Sequence, residues 1–447
     1  MPYVPHTPEE IRQMLDALGA ASVEELFADI PAALRPRSFD LPPGLPEMEV
    51  LSRLEALAAR NRTDLASFLG AGFYDHFIPK AVDALISRGE FYTAYTPYQP
   101  EASQGTLQAI FEYQTAVCRL LGMEAANASA YDGGSSIYEA MMMAVRKTRR
   151  TRLVICETVN PIYRTMLDSY TLNLKLELVT VPHKSGAPDL DALAAAADDK
   201  TAAVVVQNPD FFGGVHDFTE LFALAKSRGA VAVMSVYPVL QSVLKTPGEM
   251  GADVAVAEGQ SLGLPLSFGG PYLGVMTCTM DMIRQMPGRI VGQTLDTRGR
   301  TGYVLTLQAR EQHIRREKAT SNICSNQALC ALRALIHLSL LGPEGLARTA
   351  VLSMERAHQA EARLTALPGV ERLNPGPFGN EFAVRLPISA YEAIDKLTAR
   401  GFVPGFPLGR YYAGLENCLL VACTEKHSAS DVGILAELLA EITGGVQ

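Results

Sequence analysis

The chain has 447 residues, of which 48% are hydrophobic and 19% charged, a composition typical of a globular protein with more than one domain. Its formal net charge of -9 argues against a nucleic-acid partner, because binding phosphates requires a concentrated positive surface. No apolar run reaches the roughly 20 residues of a membrane span, and the first residues lack a signal-peptide pattern, so we expect no membrane association and a cytoplasmic location.

The residue types that bind metals are scattered along the chain. Its cysteines contain no Cys-x-x-Cys pair, and its histidines contain no His-x-x-x-His pair. The sequence therefore predicts reduced thiols, most of them buried, with neither a metal site nor a disulfide framework.

Residues 1–60 predict an N-terminal arm of short helices. Thr7 with Glu10, and Ser22 with Glu25, have the spacing of a capping box at the start of a helix. Apolar residues recur at helical spacing and need a surface to cover them, so we expect the arm to pack against a neighbour. These residues are Ile11, Met14, Leu15, Leu18, Leu26 and Phe27.

Residues 61–335 predict a large α/β domain, in which short apolar strands alternate with helices. Near-continuous apolar strands in this arrangement form a mainly parallel sheet with helices on both faces. Ligands of such sheets bind at the carboxyl ends of the strands. The predicted strands are 153–156, 176–181, 202–207, 230–236, 253–257 and 272–277.

Residues 336–447 predict a smaller α+β domain. A helix continues to about residue 365, and later helices begin after Ser389 and Ser428. Strands are expected at 381–386 and 419–423.

The most informative position is Gln260. The predicted strand that ends at Glu258 leads into Gly-Gln-Ser-Leu-Gly and then into a glycine-rich stretch at 267–275. This arrangement resembles the aminotransferase-like α/β enzymes of pyridoxal phosphate fold type I, in which the Schiff-base lysine stands at the position of Gln260. A glutamine amide is not nucleophilic and cannot form that bond. Ser235 stands where these enzymes carry the carboxylate that keeps the pyridine ring protonated.

A glycine- and serine-rich segment, Tyr131–Ser136, opens a predicted helix. Small residues and hydroxyls at a helix N-terminus suit a phosphate group, so Gly133–Ser136 could be the remnant of a phosphate cup. Plain helix capping explains the same residues. Both interpretations stay open on the sequence.

The segment 91–105 is rich in tyrosine and is interrupted by Pro97, Pro100 and Gly105, which predicts an irregular loop. Tyrosine combines apolar area with a hydrogen-bonding tip, which suits an interface or the mouth of a ligand site. A loop that packs only on its own domain is the alternative.

Several motifs resemble the amino-terminal half of the glycine cleavage system P-protein, glycine dehydrogenase (decarboxylating). Together they cover essentially the whole chain. They are Leu69–His76, Tyr95–Gly105, Phe111–Thr115, Gly122–Ser129, Ala319–Leu329 and Thr424–His427.

In that family two homologous halves are fused or made as two subunits, and only the carboxyl-terminal half carries the lysine. The resemblance implies that this chain is the lysine-free subunit, with no catalytic residue of its own. A lysine-bearing second subunit would hold pyridoxal phosphate, and the complex would decarboxylate glycine and transfer the aminomethyl group to the lipoyl group of H-protein. We expect a heterotetramer of two plus two subunits.

By the same resemblance, this chain is expected to contribute polar or packing groups to the partner's active site or to the interface. The residues are Tyr95, Thr96, Tyr98, Gln99, Glu101, Gln104, Ser321 and Asn322.

Two other functions stay open. One is an independent pyridoxal phosphate enzyme that uses another lysine, for which Lys245 and Lys318 are the least implausible, although neither follows a strand. The other is a purely structural partner that makes no contact with an active site.

Overall fold

The computed structural model describes residues 6–36, 38 and 40–444. The chain separates into two compact units, Met1–Thr63 and Asp64–Gln447. Within its described residues, the first unit contains the α-helices Pro8–Leu18 and Glu47–Ala58 and the 3-10 helices Val23–Phe27 and Ala32–Leu34.

One of the two predicted capping boxes forms. The Thr7 hydroxyl accepts a hydrogen bond from the Glu10 N–H at 3.3 Å, and the Glu10 carboxylate accepts one from the Thr7 N–H at 2.7 Å. The box predicted at Ser22 is wrong, because its side chain caps nothing. Glu25 instead accepts from the Ala21 N–H at 2.8 Å, one residue earlier, at a 3-10 helix.

Most apolar side chains among the described residues of the first unit are exposed, and Ile11 and Leu15 are half-buried. None of its described residues is buried, and Leu18 and Phe27 are 67% and 52% exposed. That a neighbour covers this arm stays a prediction.

A seven-stranded sheet forms the centre of the second unit. The strand Gly274–Cys278 is antiparallel to both of its neighbours, Ala125–Ala126 and Val254–Glu258. All other pairs of adjacent strands in this sheet are parallel. The predicted mainly parallel sheet is therefore confirmed. In spatial order the strands are Ala125–Ala126, Gly274–Cys278, Val254–Glu258, Val231–Val236, Thr201–Asn208, Arg152–Cys156 and Glu177–Val181.

The central strands are buried on both faces. Every residue of Val231–Val236 and Val254–Glu258 is buried, as expected for parallel strands between helical layers. The helix Gly133–Thr148 packs on both strands, since its buried side includes the apolar Ile137 and Met141. This core fixes the strand ends from which the site is built.

A smaller antiparallel sheet of four strands has a separate cluster of buried side chains, which includes Phe382, Val384 and Leu435. Its strands, in spatial order, are Glu371–Arg372, Glu381–Arg385, Cys418–Ala422 and Phe406–Pro407. The helices Ala390–Thr398 and Ala429–Thr443 follow the predicted starts after Ser389 and Ser428.

The longest helix, Ala328–Thr365, contributes to both clusters of buried side chains. Gly342, with φ 62° and ψ -177°, kinks it immediately before Pro343. Its length and hydropathy would allow it to cross a membrane. Four of its residues, Ala331, Ala334, Leu346 and Ala350, are buried in the main core. The predicted domain limit at 335 lies inside this helix, and the division into domains stays a prediction.

The other elements are mostly short. The remaining helices of the second unit are Lys80–Ile86, Gly89–Tyr92, Gln104–Leu121, Pro161–Thr171, Leu190–Ala196, Thr219–Ser227, Pro247–Met250 and Gln312–Arg315, with 3-10 helices at Val239–Ser242, Ile283–Gln285, Gln308–Arg310, Arg316–Lys318 and Leu408–Arg410. Two-stranded pairs join Ala66–Ser67 with Phe402–Val403, His183–Lys184 with Ala187–Pro188, and Ile290–Leu295 with Thr301–Thr306.

We predict that Gly213→Ala lowers the free energy of unfolding by roughly 3 kcal/mol or more. Gly213 has φ +90°, and an added Cβ would lie 1.8 Å from the Glu381 carbonyl oxygen, in the smaller sheet. Denaturant unfolding measures the change. Gly89→Ala is the matched control, because no atom lies within 4 Å of an added Cβ there. Equal stability of the two variants would contradict this packing.

Candidate functional site

Gln260 lies just beyond the carboxyl end of the strand Val254–Glu258 and is 2% exposed. Its carboxamide oxygen accepts a hydrogen bond from the Tyr74 N–H at 2.9 Å. Its carboxamide nitrogen donates to the carbonyl oxygens of Tyr74 at 3.1 Å and Leu264 at 2.9 Å. The carboxamide oxygen and nitrogen therefore both form hydrogen bonds, and these bonds hold the segments around Tyr74 and Leu264 at the edge of the sheet.

A cavity of about 30 Å³ remains at this edge. Ser235, at the end of the neighbouring strand, is 3% exposed and lines it. Sites for organic ligands usually occupy about 300–1,000 Å³, whereas a single water needs about 10–15 Å³. The cavity therefore has room only for something of the size of one or two waters.

Three buried carboxyl groups surround this cavity: Asp210, Glu258 and Glu381. Burial raises the pKa of Glu258 to about 8, against the hydrogen bonds that it accepts from backbone N–H groups. Burial also raises the pKa of Glu381 to about 7. The pKa of Asp210 is raised by burial too, although His216 lies 2.7 Å from its carboxylate and opposes the shift. A large fraction of Glu258 and of Glu381 is therefore protonated near neutral pH.

The polar groups of the predicted phosphate cup, Gly133–Ser136, form hydrogen bonds within the chain. The Gly133 N–H donates to Glu258 Oε2 at 2.9 Å. Asp132 caps the helix by accepting from the Ser135 N–H at 2.7 Å, and the hydroxyls of Ser135 and Ser136 donate to the Asp132 carbonyl oxygen. Capping, the alternative interpretation of this segment, accounts for its two serines.

These residues do not fit pyridoxal phosphate. No amine stands at Gln260, and Ser235 offers no carboxylate to the ring nitrogen. The Gly133 N–H at the helix start is already paired with a carboxyl group, and the remaining cavity is small and acidic.

A second hydrogen-bonded network lies beside Gln260, and no sequence pattern predicted it. The Tyr74 hydroxyl donates to Glu381 Oε2 at 2.8 Å, and the Tyr74 ring lies 4.4 Å from the Tyr237 ring. The His76 ring hydrogen-bonds Tyr237 through Nε2 and Glu425 through Nδ1, the latter at 2.6 Å. Buried tyrosines and a histidine thus fill the edge at which a fold of this kind binds ligands.

The tyrosine loop, defined as residues 91–105, is held by Arg289. This arginine is 2% exposed; it donates to the Tyr98 hydroxyl at 3.0 Å and to the Cys324 carbonyl oxygen. The Tyr95 hydroxyl also lies 2.7 Å from Ser325 Oγ. Arg289 therefore brings the two candidate segments, around residues 98 and 322, onto one surface.

Two further predicted site residues are hydrogen-bonded within the chain. The Gln104 side chain donates to the Tyr303 carbonyl oxygen at 2.9 Å and accepts from the Tyr303 N–H at 2.9 Å. The Ser321 hydroxyl donates to the Glu139 carboxylate and accepts from the Ile323 N–H at 3.1 Å. Both side chains fix loop geometry.

The other candidates are less engaged. Gln99, Glu101 and Asn322 are exposed, Tyr95 is 74% exposed, and Tyr98 is 46% exposed; Thr96 is half-buried. Whether any of these residues contacts a partner or substrate stays a prediction.

Sequence reasoning missed Glu258, Arg289, Tyr74 and Glu381. The only signals were local: Glu258 is an acidic residue at the end of an apolar strand, and Arg289 is a charged residue directly before the apolar strand Ile290–Leu295. A charge adjoining an apolar strand suggests a buried partner.

Comparison with known proteins identifies the family. A family model described as the glycine cleavage system P-protein matches residues 1–439. The chain belongs to the glycine cleavage system P-protein family.

Curated members of the P-protein family match the chain end to end. A protein of Nitratidesulfovibrio vulgaris strain DP4 is 75% identical over 99% of this chain and 100% of its own length, and one of Citrifermentans bemidjiense is 54% identical over 99% of each. Both are named "Probable glycine dehydrogenase (decarboxylating) subunit 1".

Solved structures confirm the fold. The crystal structure of glycine decarboxylase (P-protein) in inhibitor-bound form superposes with a TM-score of 0.92 at 46% identity, over 99% of this chain and 100% of that one. Glutamate decarboxylase of Lactobacillus brevis superposes with a TM-score of 0.68 at 14% identity, over 92% of this chain and 96% of that one, which shows a shared fold alone. The predicted aminotransferase-like fold of type I is confirmed.

We predict that Gln260→Met lowers the free energy of unfolding by roughly 2–4 kcal/mol. Methionine fills a similar volume but leaves the Tyr74 N–H and two carbonyl oxygens buried without partners. Gln293→Met, at an exposed position, is the control. If both variants unfold at the wild-type denaturant concentration, the Gln260 hydrogen bonds contribute nothing.

We also predict a pH dependence of stability from Glu381. Its pKa is about 7 in the folded chain against an ordinary 4.5, so the folded chain keeps a proton that the unfolded chain has lost. The stabilisation is fully present below about pH 4.5 and is lost as the pH rises to about 7, on the order of 3 kcal/mol.

Glu381→Gln should reduce the fall in unfolding free energy over this pH range, because the amide does not titrate, while the part due to Glu258 remains. Glu437→Gln, at an exposed helix position, should keep the wild-type slope. Denaturant unfolding across the range measures both variants, and an unchanged slope in Glu381→Gln would contradict this assignment.

Proposed function

We propose that this chain is the lysine-free subunit of a two-subunit glycine decarboxylase, the P-protein of a glycine cleavage system. The observation that carries the proposal is Gln260, whose buried carboxamide is hydrogen-bonded at both ends where this fold type places a Schiff-base lysine. Full-length identity to proteins named as subunit 1 supports it.

In this proposal a lysine-bearing second subunit holds pyridoxal phosphate, and this chain does not. Glycine is the substrate, and the lipoyl group of H-protein receives the aminomethyl group. Two copies of each subunit form the complex, related by an isologous contact, and the enzyme is cytoplasmic. The cofactor supplies the electron sink for decarboxylation.

The role of this chain is to present a rigid polar surface, formed by the tyrosine loop and the segment around Asn322. Arg289 fixes the tyrosine loop through Tyr98, while Gln104 pins its far end to the strand Thr301–Thr306. Rotamers locked by buried contacts position neighbouring groups more precisely than free loops do. Tyr95, Thr96, Gln99, Glu101 and Asn322 then face the partner's active site or the interface, and Ser321 holds the second loop in place.

An independent enzyme with another lysine has little support. Lys245 donates to Asp217 at 3.0 Å and to Thr219 at 2.7 Å, and its side chain is 42% exposed, so its ammonium is solvated and paired. Lys318 is exposed in a 3-10 helix. Neither lies at the strand ends around Gln260.

A purely structural role has one supporting observation, namely that Gln104 and Ser321 are engaged within the chain. It predicts that changes in the tyrosine loop alter assembly alone. The following kinetic predictions separate the two roles.

Reconstitution tests the proposed function. The chain alone should release no labelled carbon dioxide from carboxyl-labelled glycine, whereas its mixture with the lysine-bearing subunit and H-protein should. Borohydride reduction of the mixture should attach the cofactor to a lysine of the partner. Activity or cofactor attachment in this chain alone would overturn the assignment.

The variants Gln99→Ala and Asn322→Ala, measured in the assembled enzyme, test whether this polar surface contributes to catalysis. Loss of one hydrogen bond at the active site costs about 1–3 kcal/mol, so kcat should fall about tenfold or more without a change in subunit assembly. Gln293→Ala, at an exposed position in a hairpin, is the control. Unchanged kinetics with altered assembly would support the structural role.

A further inference from the structure

At the amino end of the helix Gly133–Thr148, the carboxyl group of Glu258 lies where a helix start would bind an anion. The first N–H groups of a helix have no partner within it, and the aligned peptide dipoles leave a partial positive charge there. Helix starts at the carboxyl edge of a parallel sheet are therefore ready sites for phosphate groups. At 16 residues the helix is long enough for this effect.

The Glu258 side chain, which belongs to the same chain, accepts the hydrogen bonds that such an anion would accept. Its Oε2 accepts from the Gly133 N–H at 2.9 Å, and its Oε1 accepts from the Gln260 N–H at 2.9 Å and the Leu273 N–H at 3.4 Å. Three backbone donors from the helix start, the strand end and the glycine-rich loop thus converge on one side chain. A tetrahedral anion in this fold would need donors of the same kind.

The packing around Glu258 leaves no room for a second group. An added Cβ on Gly133 would lie 2.9 Å from the Glu258 nitrogen and 2.9 Å from the Tyr163 hydroxyl oxygen. An added Cβ on Gly134 would lie 2.6 Å from Met166 Cε. The two glycines therefore allow the end of the strand Val254–Glu258 and the helix Pro161–Thr171 to close over the helix start.

The Tyr163 hydroxyl is the one polar group here that stays unsatisfied. Tyr163 is 7% exposed and lines the 30 Å³ cavity beside Glu258, and its hydroxyl has no hydrogen-bond partner in the described chain. The Tyr163 hydroxyl is therefore a free donor beside the backbone N–H groups that Glu258 occupies.

We propose that Glu258 is a built-in substitute for a phosphate group, which closes the anion site of this chain against phosphorylated ligands. This goes beyond the proposed function, because it concerns only the chain by itself and does not require a partner. It implies that the anion site is latent: removing the carboxyl group exposes the Gly133, Gln260 and Leu273 N–H groups and the Tyr163 hydroxyl to an external oxyanion.

The test is binding of inorganic phosphate to the isolated full-length chain, by equilibrium dialysis and by thermal unfolding in phosphate or chloride at equal ionic strength. Wild type should bind no phosphate, and its rise in unfolding temperature from chloride to phosphate, a general salt effect, sets the baseline. Glu258→Ala should bind about one phosphate per chain, and its unfolding temperature should rise from chloride to phosphate by more than that baseline.

Two further variants make the result specific. Glu381→Ala also removes a buried carboxyl group from the cavity, but its donors, the Ala71 N–H and the Tyr74 hydroxyl, do not belong to a helix start. It should lose stability equally in both salts. Glu258→Gln keeps the volume and an acceptor oxygen, so it should also bind no phosphate.

If Glu258→Ala does not fold in chloride, its refolding yield in phosphate becomes the measurement, and recovery in phosphate but not in chloride supports the proposal. Phosphate binding by wild type as tight as by Glu258→Ala would overturn it. So would a rise in the unfolding temperature of Glu258→Ala from chloride to phosphate that is no larger than the rise of wild type. These outcomes are independent of decarboxylase activity, which the reconstitution measures.

Discussion

The second unit depends on how the end of the strand Val254–Glu258 is held. Two side chains with one residue between them, Glu258 and Gln260, bind backbone groups of the helix start, the glycine-rich loop and the segment around Tyr74. In a pyridoxal phosphate enzyme of this fold type these elements would surround a cofactor. Here each element is bound directly to the strand end, so the chain supplies the contacts that a ligand would otherwise make.

This arrangement explains why the edge of the sheet is acidic and closed. Carboxyl groups tolerate burial only when hydrogen bonds satisfy them, and Glu258 and Glu381 each accept from backbone N–H groups. The cost is visible in their raised pKa values, about 8 and about 7. Most residues of the tyrosine loop are exposed or half-buried, and Arg289 holds this loop through Tyr98.

The apolar strands of the central sheet and the helix Gly133–Thr148 form the main core of buried side chains. Glutamate decarboxylase keeps the same architecture at 14% identity, which shows how few positions the fold constrains. Chemistry in such folds resides in a few side chains at strand ends, and at Gln260 and Ser235 this chain has neutral groups.

The sequence by itself determined what depends on neighbours along the chain. Apolar runs predicted six of the seven strands of the central sheet but not Ala125–Ala126. Thr7 with Glu10 predicted a real helix cap, and the residue type at position 260 excluded a Schiff base at that position. Local pattern failed at Ser22, where the chain forms a 3-10 turn in place of the expected cap. Only the tertiary structure decided that Glu258 meets Gly133, 125 residues away, and that Arg289 meets Tyr98, 191 residues away. Periodicity specifies which face of an element is buried, but the partner of a buried charge depends on which distant elements the fold brings together.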